Sequence, residues 1–189
     1  MSDPLAWRLG TRIPAHDYRV FSTAFVDGEH PRTGAQKQFS LIDAVDWVNV
    51  IALTPDRRVV LIRQFRVGAN SICLEIPGGM VDAGESPEVA AARELAEETG
   101  YTSSSWQRLG AVSPNPAIMT NRLYSFLALD AVQTQAQHLE GSEVIDVELA
   151  TLDACHAAIR DGRIDHALVI VAFAHLAFRQ LQASASNEP

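Results

Sequence analysis

Along most of this chain, apolar and polar residues alternate in short blocks bounded by Gly, Pro, Asn and Asp, as in strands that bury one face. The alternation predicts an N-terminal pair of strands over Tyr18–Val26 and Gln36–Ile42. Two more, Trp47–Thr54 and Arg58–Arg63, flank Pro55-Asp56-Arg57 and read as a hairpin. The strand-like run SICLEIP follows, and later strands are expected at Trp106–Val112, Arg122–Leu129 and Glu143–Leu149. Helical periodicity appears after Glu85, at Leu152–Arg160 and at Ile164–Leu181. Strands interleaved with few helices imply an α+β chain whose mixed sheet lies between helices. Residues 1–45 exceed what such a core requires and read as a small β extension. Residues 46–182 form the main domain, and residues 183–189 form a flexible tail.

Candidate chemistry is concentrated between Gly79 and Tyr101, in GMVDAGESPEVAAARELAEETGY. The helix here has readable ends. Ser86 suits the N-cap, Pro87 the first helical position, Glu88 the positive end of the dipole, and Gly100 the left-handed closing turn. At about 100° per residue, Glu94, Glu97 and Glu98 project from one face. An Ala- and Glu-rich helix can be merely solvated, but three carboxylates on one face repel one another unless a cation sits between them. Hard oxygen donors suit Mg²⁺ or Mn²⁺. Arg93 offers a planar fork that can hold a ligating carboxylate in one rotamer. Glu85, at the loop-to-helix corner, can tie down the loop or reach the metal shell through water. Gly78 and Gly79 follow Pro77, so the backbone there can approach a ligand closely and offer a carbonyl. No Gly-Lys-Ser/Thr follows, so this is not a Walker loop.

The segment resembles the Nudix box over every specified position from Gly79 to Gly100, with Tyr101 at a position that is often aliphatic. The resemblance implies an α/β/α sandwich and a metal-dependent pyrophosphohydrolase acting on a nucleoside diphosphate linked to another moiety. It makes Glu94, Glu97 and Glu98 metal ligands, Gly78 a backbone ligand and Arg93 the orienting residue, with Glu97 and Arg93 part of the catalytic set. Three further pieces resemble the ADP-ribose and nucleoside diphosphate sugar branch: Arg63-Gln64-Phe65-Arg66 leading to Leu74-Glu75-Ile76-Pro77-Gly78-Gly79, Pro116, and Leu139-Glu140-Gly141-Ser142-Glu143-Val144-Ile145. The last resembles a late loop that supplies a catalytic glutamate, here Glu143, with Glu140 as the neighbouring alternative. The implied substrate-binding set is Arg63, Arg66, Glu75, Pro116 and Trp47. Glu75 can also be an edge charge, and Trp47, Phe39 and Trp7 can stack on a base or belong to the core. Products would be a nucleoside monophosphate and a sugar phosphate. Relatives with such an N-terminal extension pair through it, which implies a homodimer. The rival readings are a nucleoside triphosphate pyrophosphohydrolase and a non-catalytic ligand sensor.

Composition narrows the picture. The 189 residues are 47% apolar, enough for one core with an appendage. A formal charge of −8 argues against general nucleic-acid binding, so an anionic diphosphate must be met by local cations such as Arg63, Arg66 and Arg122. Cys73 and Cys155 make neither a disulfide framework nor a metal motif, which points to a reducing cytoplasm. The start MSDPLAWRLG does not read as a secretion signal. The apolar run Ala167–Phe178 is too short to span a bilayer, so no membrane partner is expected.

Overall fold

The computed structural model of the chain describes residues 3–139, 141 and 143–185. Glu140 and Ser142 of the late loop, and the last residues of the tail from 186 onward, lie outside the described residues. The chain divides into two compact units.

The first unit runs to Val45 and also takes in Ser113–Arg122, a segment expected in the main domain. It contains an antiparallel sheet in the order β1 (Arg8–Asp17), β2 (Ser22–Glu29) and β3 (Gln36–Asp43). β1 was not expected. Every residue along it is exposed, so no one-sided apolar pattern marks it. The strand expected over 18–26 is displaced towards the C-terminus, because Tyr18–Phe21 form the turn between β1 and β2, with Arg19 at φ 72°. Ala24 and Val26 of β2 are buried while Phe25 and Asp27 face outward, the alternation of a one-sided strand. Residues 113–122 are tied to the end of β3. Ile42 N–H donates to Ile118 O at 2.7 Å, and Thr120 N–H donates to Ile42 O at 3.1 Å.

The second unit holds the remaining strands and all three helices. β5 (Arg58–Arg66) is flanked by β6 (Ser71–Glu75) and β11 (Ile145–Thr151), both antiparallel. β9 (Leu123–Leu129) lies between β4 (Trp47–Ala52), which is parallel to it, and β8 (Ser105–Val112), which is antiparallel. Two short strands, β7 (Tyr101–Thr102) and β10 (Val132–Gln133), pair separately. The mixed pairing agrees with the expected fold. The hairpin expected about Pro55-Asp56-Arg57 is only partly formed. The turn closes through Thr54 N–H to Arg58 O at 2.9 Å and a bridge between Leu53 and Val59. β4 and β5 then separate, since β4 pairs with β9 while β5 pairs with β6 and β11.

Two apolar clusters explain why β4 and β5 read as nearly continuous hydrophobic runs. One joins Ile51, Leu53, Val59 and Leu61 to Cys155 and Ala158 of α2 (Leu152–Arg160) and to Val169, Phe173 and Leu176 of α3 (Ala167–Ala185). The other joins Val48, Val50, Ala52 and Val60 to Ala90, Ala91 and Leu95 of α1 (Pro87–Thr99). Alternate residues of β4 thus feed opposite clusters, and helices cover both faces of the strands. α3 begins three residues later than predicted and runs to Ala185, through the start of the segment read as a tail.

Candidate active site

The site begins where β6 ends. Beyond Glu75, the chain turns past buried Ile76 and Pro77 and runs beside β4, with Val50 N–H donating to Pro77 O at 2.8 Å and Val48 N–H to Gly79 O at 2.9 Å. The approach is close enough to require glycine. A Cβ on Gly78 would lie 2.3 Å from Val48 O, and one on Gly79 would lie 2.4 Å from Glu94 Oε1. Glycine here brings bare backbone against the carboxylates of α1.

α1 carries those carboxylates on a well-capped scaffold. Ser86 Oγ accepts from Val89 N–H at 3.3 Å, and Gly100, at φ 73°, returns its N–H to Ala96 O at 2.9 Å. Ala90, Ala91 and Leu95 are buried against the sheet, and Glu98, only 5% exposed, is buried with them. Its Oε2 accepts from Gly78 N–H at 2.9 Å. Burial pushes the Glu98 carboxyl up to about 8 despite that hydrogen bond, and repulsion from Glu94 and Glu143 adds to the rise. The Glu94 carboxyl is likewise raised by burial, opposed by Arg93 and reinforced by Glu97 and Glu143.

Arg93 is the centre of this ring. Its Nε and Nη2 donate to the two oxygens of Glu85 at 3.1 and 3.0 Å, and Nη2 also reaches Met80 O at 2.9 Å. Nη1 donates to Glu94 at 3.0 Å and to Glu97 at 3.1 Å. Hydrogen bonding from Arg93 draws the Glu85 carboxyl below its ordinary value. Glu85 also accepts from Asp82 N–H at 3.2 Å, so it ties the loop to the helix.

Among the described residues, no three His, Cys, Asp or Glu side chains converge as a ready-made metal cage. The fit lies in the chemistry of the donors. Glu94, Glu98 and Glu143 interact repulsively across a partly buried site, with Arg93 offsetting Glu94 and Arg66 acting more weakly on Glu98, and a hard divalent ion suits those oxygens. Glu94, Glu97 and Glu98, with the Gly78 backbone, are the groups that would hold it.

Next to the Gly78–Gly79 backbone opens a cavity of about 650 Å³, lined among others by Trp47, Asn49, Arg66, Glu75, Met80 and His166. Glu75 is 2% exposed, and Arg66 clasps it with two hydrogen bonds of 2.8 Å each. Burial alone would raise the Glu75 carboxyl, but Arg66, with His166 alongside, holds it down to about 2.

Trp47, Arg66, Glu75 and Gly78 therefore come together around one space. Arg63 does not join them: it is exposed, and its odd spacing from Arg66 along β5 directs it to the opposite face. Pro116 is exposed in the turn after Ser113, in the first unit, as is Arg122 at the end of that segment. Trp7 and Phe39 pack edge to face on each other with ring centres 4.9 Å apart. Glu143 precedes β11 and is exposed. His166 and Asn49 were missed. His166 falls within the predicted helix at 164–181, and Asn49 is one polar residue inside an apolar strand.

With this geometry in view, the chain matches the NUDIX domain model over residues 44–172. The chain belongs to the NUDIX family. An ADP-ribose pyrophosphatase of Bacillus subtilis is 30% identical over 167 residues, spanning 87% of this chain and 90% of that protein. An ADP-sugar pyrophosphatase of Mus musculus is 44% identical over 77 residues, which cover 40% of this chain and 35% of the mouse protein. The crystal structure of an ADP compounds hydrolase shares the fold, with a TM-score of 0.82 at 22% identity over 97% of this chain and 98% of that one.

Proposed function

We propose that the protein is a divalent-cation-dependent pyrophosphohydrolase that cleaves the diphosphate of ADP-ribose or another nucleoside diphosphate sugar. The observation that carries this reading is the carboxylate face of α1, packed against the Gly78–Gly79 backbone at the edge of a cavity large enough for such a ligand. Similarity to pyrophosphatases named for ADP-ribose and ADP-sugar supports the substrate class.

Mg²⁺ is the proposed ion, with Mn²⁺ able to replace it. When bound, it would neutralise the diphosphate and acidify the attacking water. Arg93 holds Glu94 and Glu97 in fixed rotamers, and Gly78 N–H holds Glu98. Glu143 interacts with both Glu94 and Glu98, which supports assigning it the proton of the attacking water. Water then adds to one phosphorus as the bridging P–O bond breaks, and a nucleoside monophosphate and a sugar phosphate leave.

We also place the protein in a reducing compartment such as the cytoplasm. Cys73 and Cys155 are free and buried, and burial pushes the Cys155 thiol up to about 11. No helix among the described residues is long and apolar enough to cross a membrane.

The test is a panel of nucleotide sugars and nucleoside triphosphates with Mg²⁺, reading the phosphate freed by a coupled phosphatase. ADP-ribose or a nucleoside diphosphate hexose should be turned over with the highest kcat/KM, and chelation should stop it. A triphosphate that outperforms every nucleotide sugar would overturn the substrate class.

A further inference from the structure

Glu75 already has a full partner. Arg66 occupies both its oxygens and balances its charge. Yet His166 Nδ1 lies 3.2 Å from Glu75 Oε2, buried, and not aligned as a hydrogen bond in this rotamer. An unprotonated Nδ1 would set its lone pair against a carboxylate oxygen, so the neutral ring carries its proton on Nδ1, where a small rotation turns it onto Oε2. In that neutral tautomer Nε2 carries the free lone pair. The His166 side chain is 39% exposed and lines the cavity, while its buried atom is the one against Glu75. The backbone that carries the ring is held in place, since His166 O accepts Val169 N–H at 3.0 Å and Ile170 N–H at 3.1 Å in the opening turn of α3.

A second acceptor belongs to the same wall. Asn49 is 5% exposed and lines the cavity. Its Nδ2 donates to Leu168 O at 2.8 Å, and its buried Oδ1 has no partner. A buried polar atom without a partner is costly unless a ligand supplies one. Neutral acceptors of this kind take O–H and N–H groups and offer nothing to the oxygens of a diphosphate; hydroxyls are the donors that every nucleotide sugar carries, whatever its base.

We propose that His166 is a substrate-binding residue whose Nε2 accepts a sugar hydroxyl, with Glu75 as the positioning residue that fixes its tautomer. This rests on the nucleotide sugar reading above. The hydroxyl belongs either to the nucleoside ribose or to the second sugar.

The test uses the full chain with ADP-ribose and Mg²⁺, comparing wild type with H166F, H166N and H166Q and recording the Tm of each. Losing one neutral hydrogen bond should raise the KM of H166F roughly five- to tenfold while kcat stays within about threefold. Gln extends an amide to the position of Nε2 and should recover most of the affinity. Asn reaches only towards Glu75 and should not. Competitive inhibition by AMP and by ribose 5-phosphate separates the two sources, because H166F weakens whichever product carries the hydroxyl. If KM instead follows Tm, with H166N restoring both, His166 merely props Glu75 and the proposal fails. Unchanged KM in H166F alongside an active wild type also overturns it, leaving the proposed activity intact. A wild type inactive on every nucleotide sugar overturns the activity, and the hydroxyl assignment with it.

Discussion

The two most buried acids near the cavity, Glu98 and Glu75, are shifted in opposite directions, and each direction has a consequence for stability. With its carboxyl pushed up to about 8, Glu98 binds a proton in the fold that the unfolded chain, at the ordinary value of 4.5, has already released. The metal-free fold therefore loses stability as pH rises from about 4.5 to 8. Glu98→Gln removes that penalty and a proposed ligand together. Melting in EDTA at pH 8 should show a higher Tm for the variant, whereas turnover with Mg²⁺ should fall at least about 100-fold. Retained activity would refute the ligand assignment. Glu75, held at about 2, has the opposite sign. Its contribution is fully present above about 4.5 and is lost as pH falls towards 2, and it amounts to at most about 3 kcal/mol. Urea titrations should show a smaller loss of stability between pH 7 and 3 in Glu75→Gln than in wild type; an equal loss would refute the clasp. The acids of α1 were legible because their spacing alone sets them on one face. The link from His166 to Glu75 was not, because it joins the start of a helix to a strand far away in sequence.

At the scale of elements, the loop after β6 matters as much as the helix it faces. Gly79→Ala should leave α1 folded, since its caps at Ser86 and Gly100 are untouched, but the new methyl would occupy the place of the Glu94 carboxylate. Overpacking of this kind costs roughly 1–3 kcal/mol, and a misplaced ligand on the order of 10- to 100-fold in activity. Circular dichroism paired with kinetics checks both; wild-type activity would show that Glu94 need not stay where it lies. The ends of α1 were readable because capping residues declare themselves locally, as Ser86, Pro87 and Gly100 do. What was not readable is which strands pair. Pro55-Asp56-Arg57 signals a turn, but nothing local says that β4 will leave β5 for a parallel partner more than sixty residues further along the chain. β1 has no buried face to signal it at all.

At the scale of the whole molecule, the first unit leaves an edge uncovered. β1 is ten residues long, sits at the end of its sheet, and is exposed throughout. Ile13 and Phe25 stand opposite each other in the β1–β2 register, yet they remain 48% and 39% exposed. A long free edge beside an apolar cross-strand pair invites another chain, and proteins that stay monomeric usually blunt such edges with charge, proline or a bulge. β1 carries all three, in the charges of Arg8, Arg12 and Asp17, in Pro14 and in the irregularities next to Arg12 and His16, yet none of them covers the pair. We propose that a second copy of the chain covers this surface, forming the homodimer implied by the resemblance. Light scattering at low micromolar concentration should then return twice the chain mass of 20.6 kDa. Replacing Ile13 and Phe25 together by Arg should halve that mass, since two charges facing each other across a shared surface repel and lose solvation. The α1 carboxylates and the cavity lie in the other unit, so the split variant should keep its helical signal. Its KM then reports whether the partner contributes to the substrate pocket: a rise with kcat preserved indicates a shared pocket, and unchanged kinetics confine the dimer to assembly. A monodisperse wild-type monomer with full activity would remove the dimer altogether.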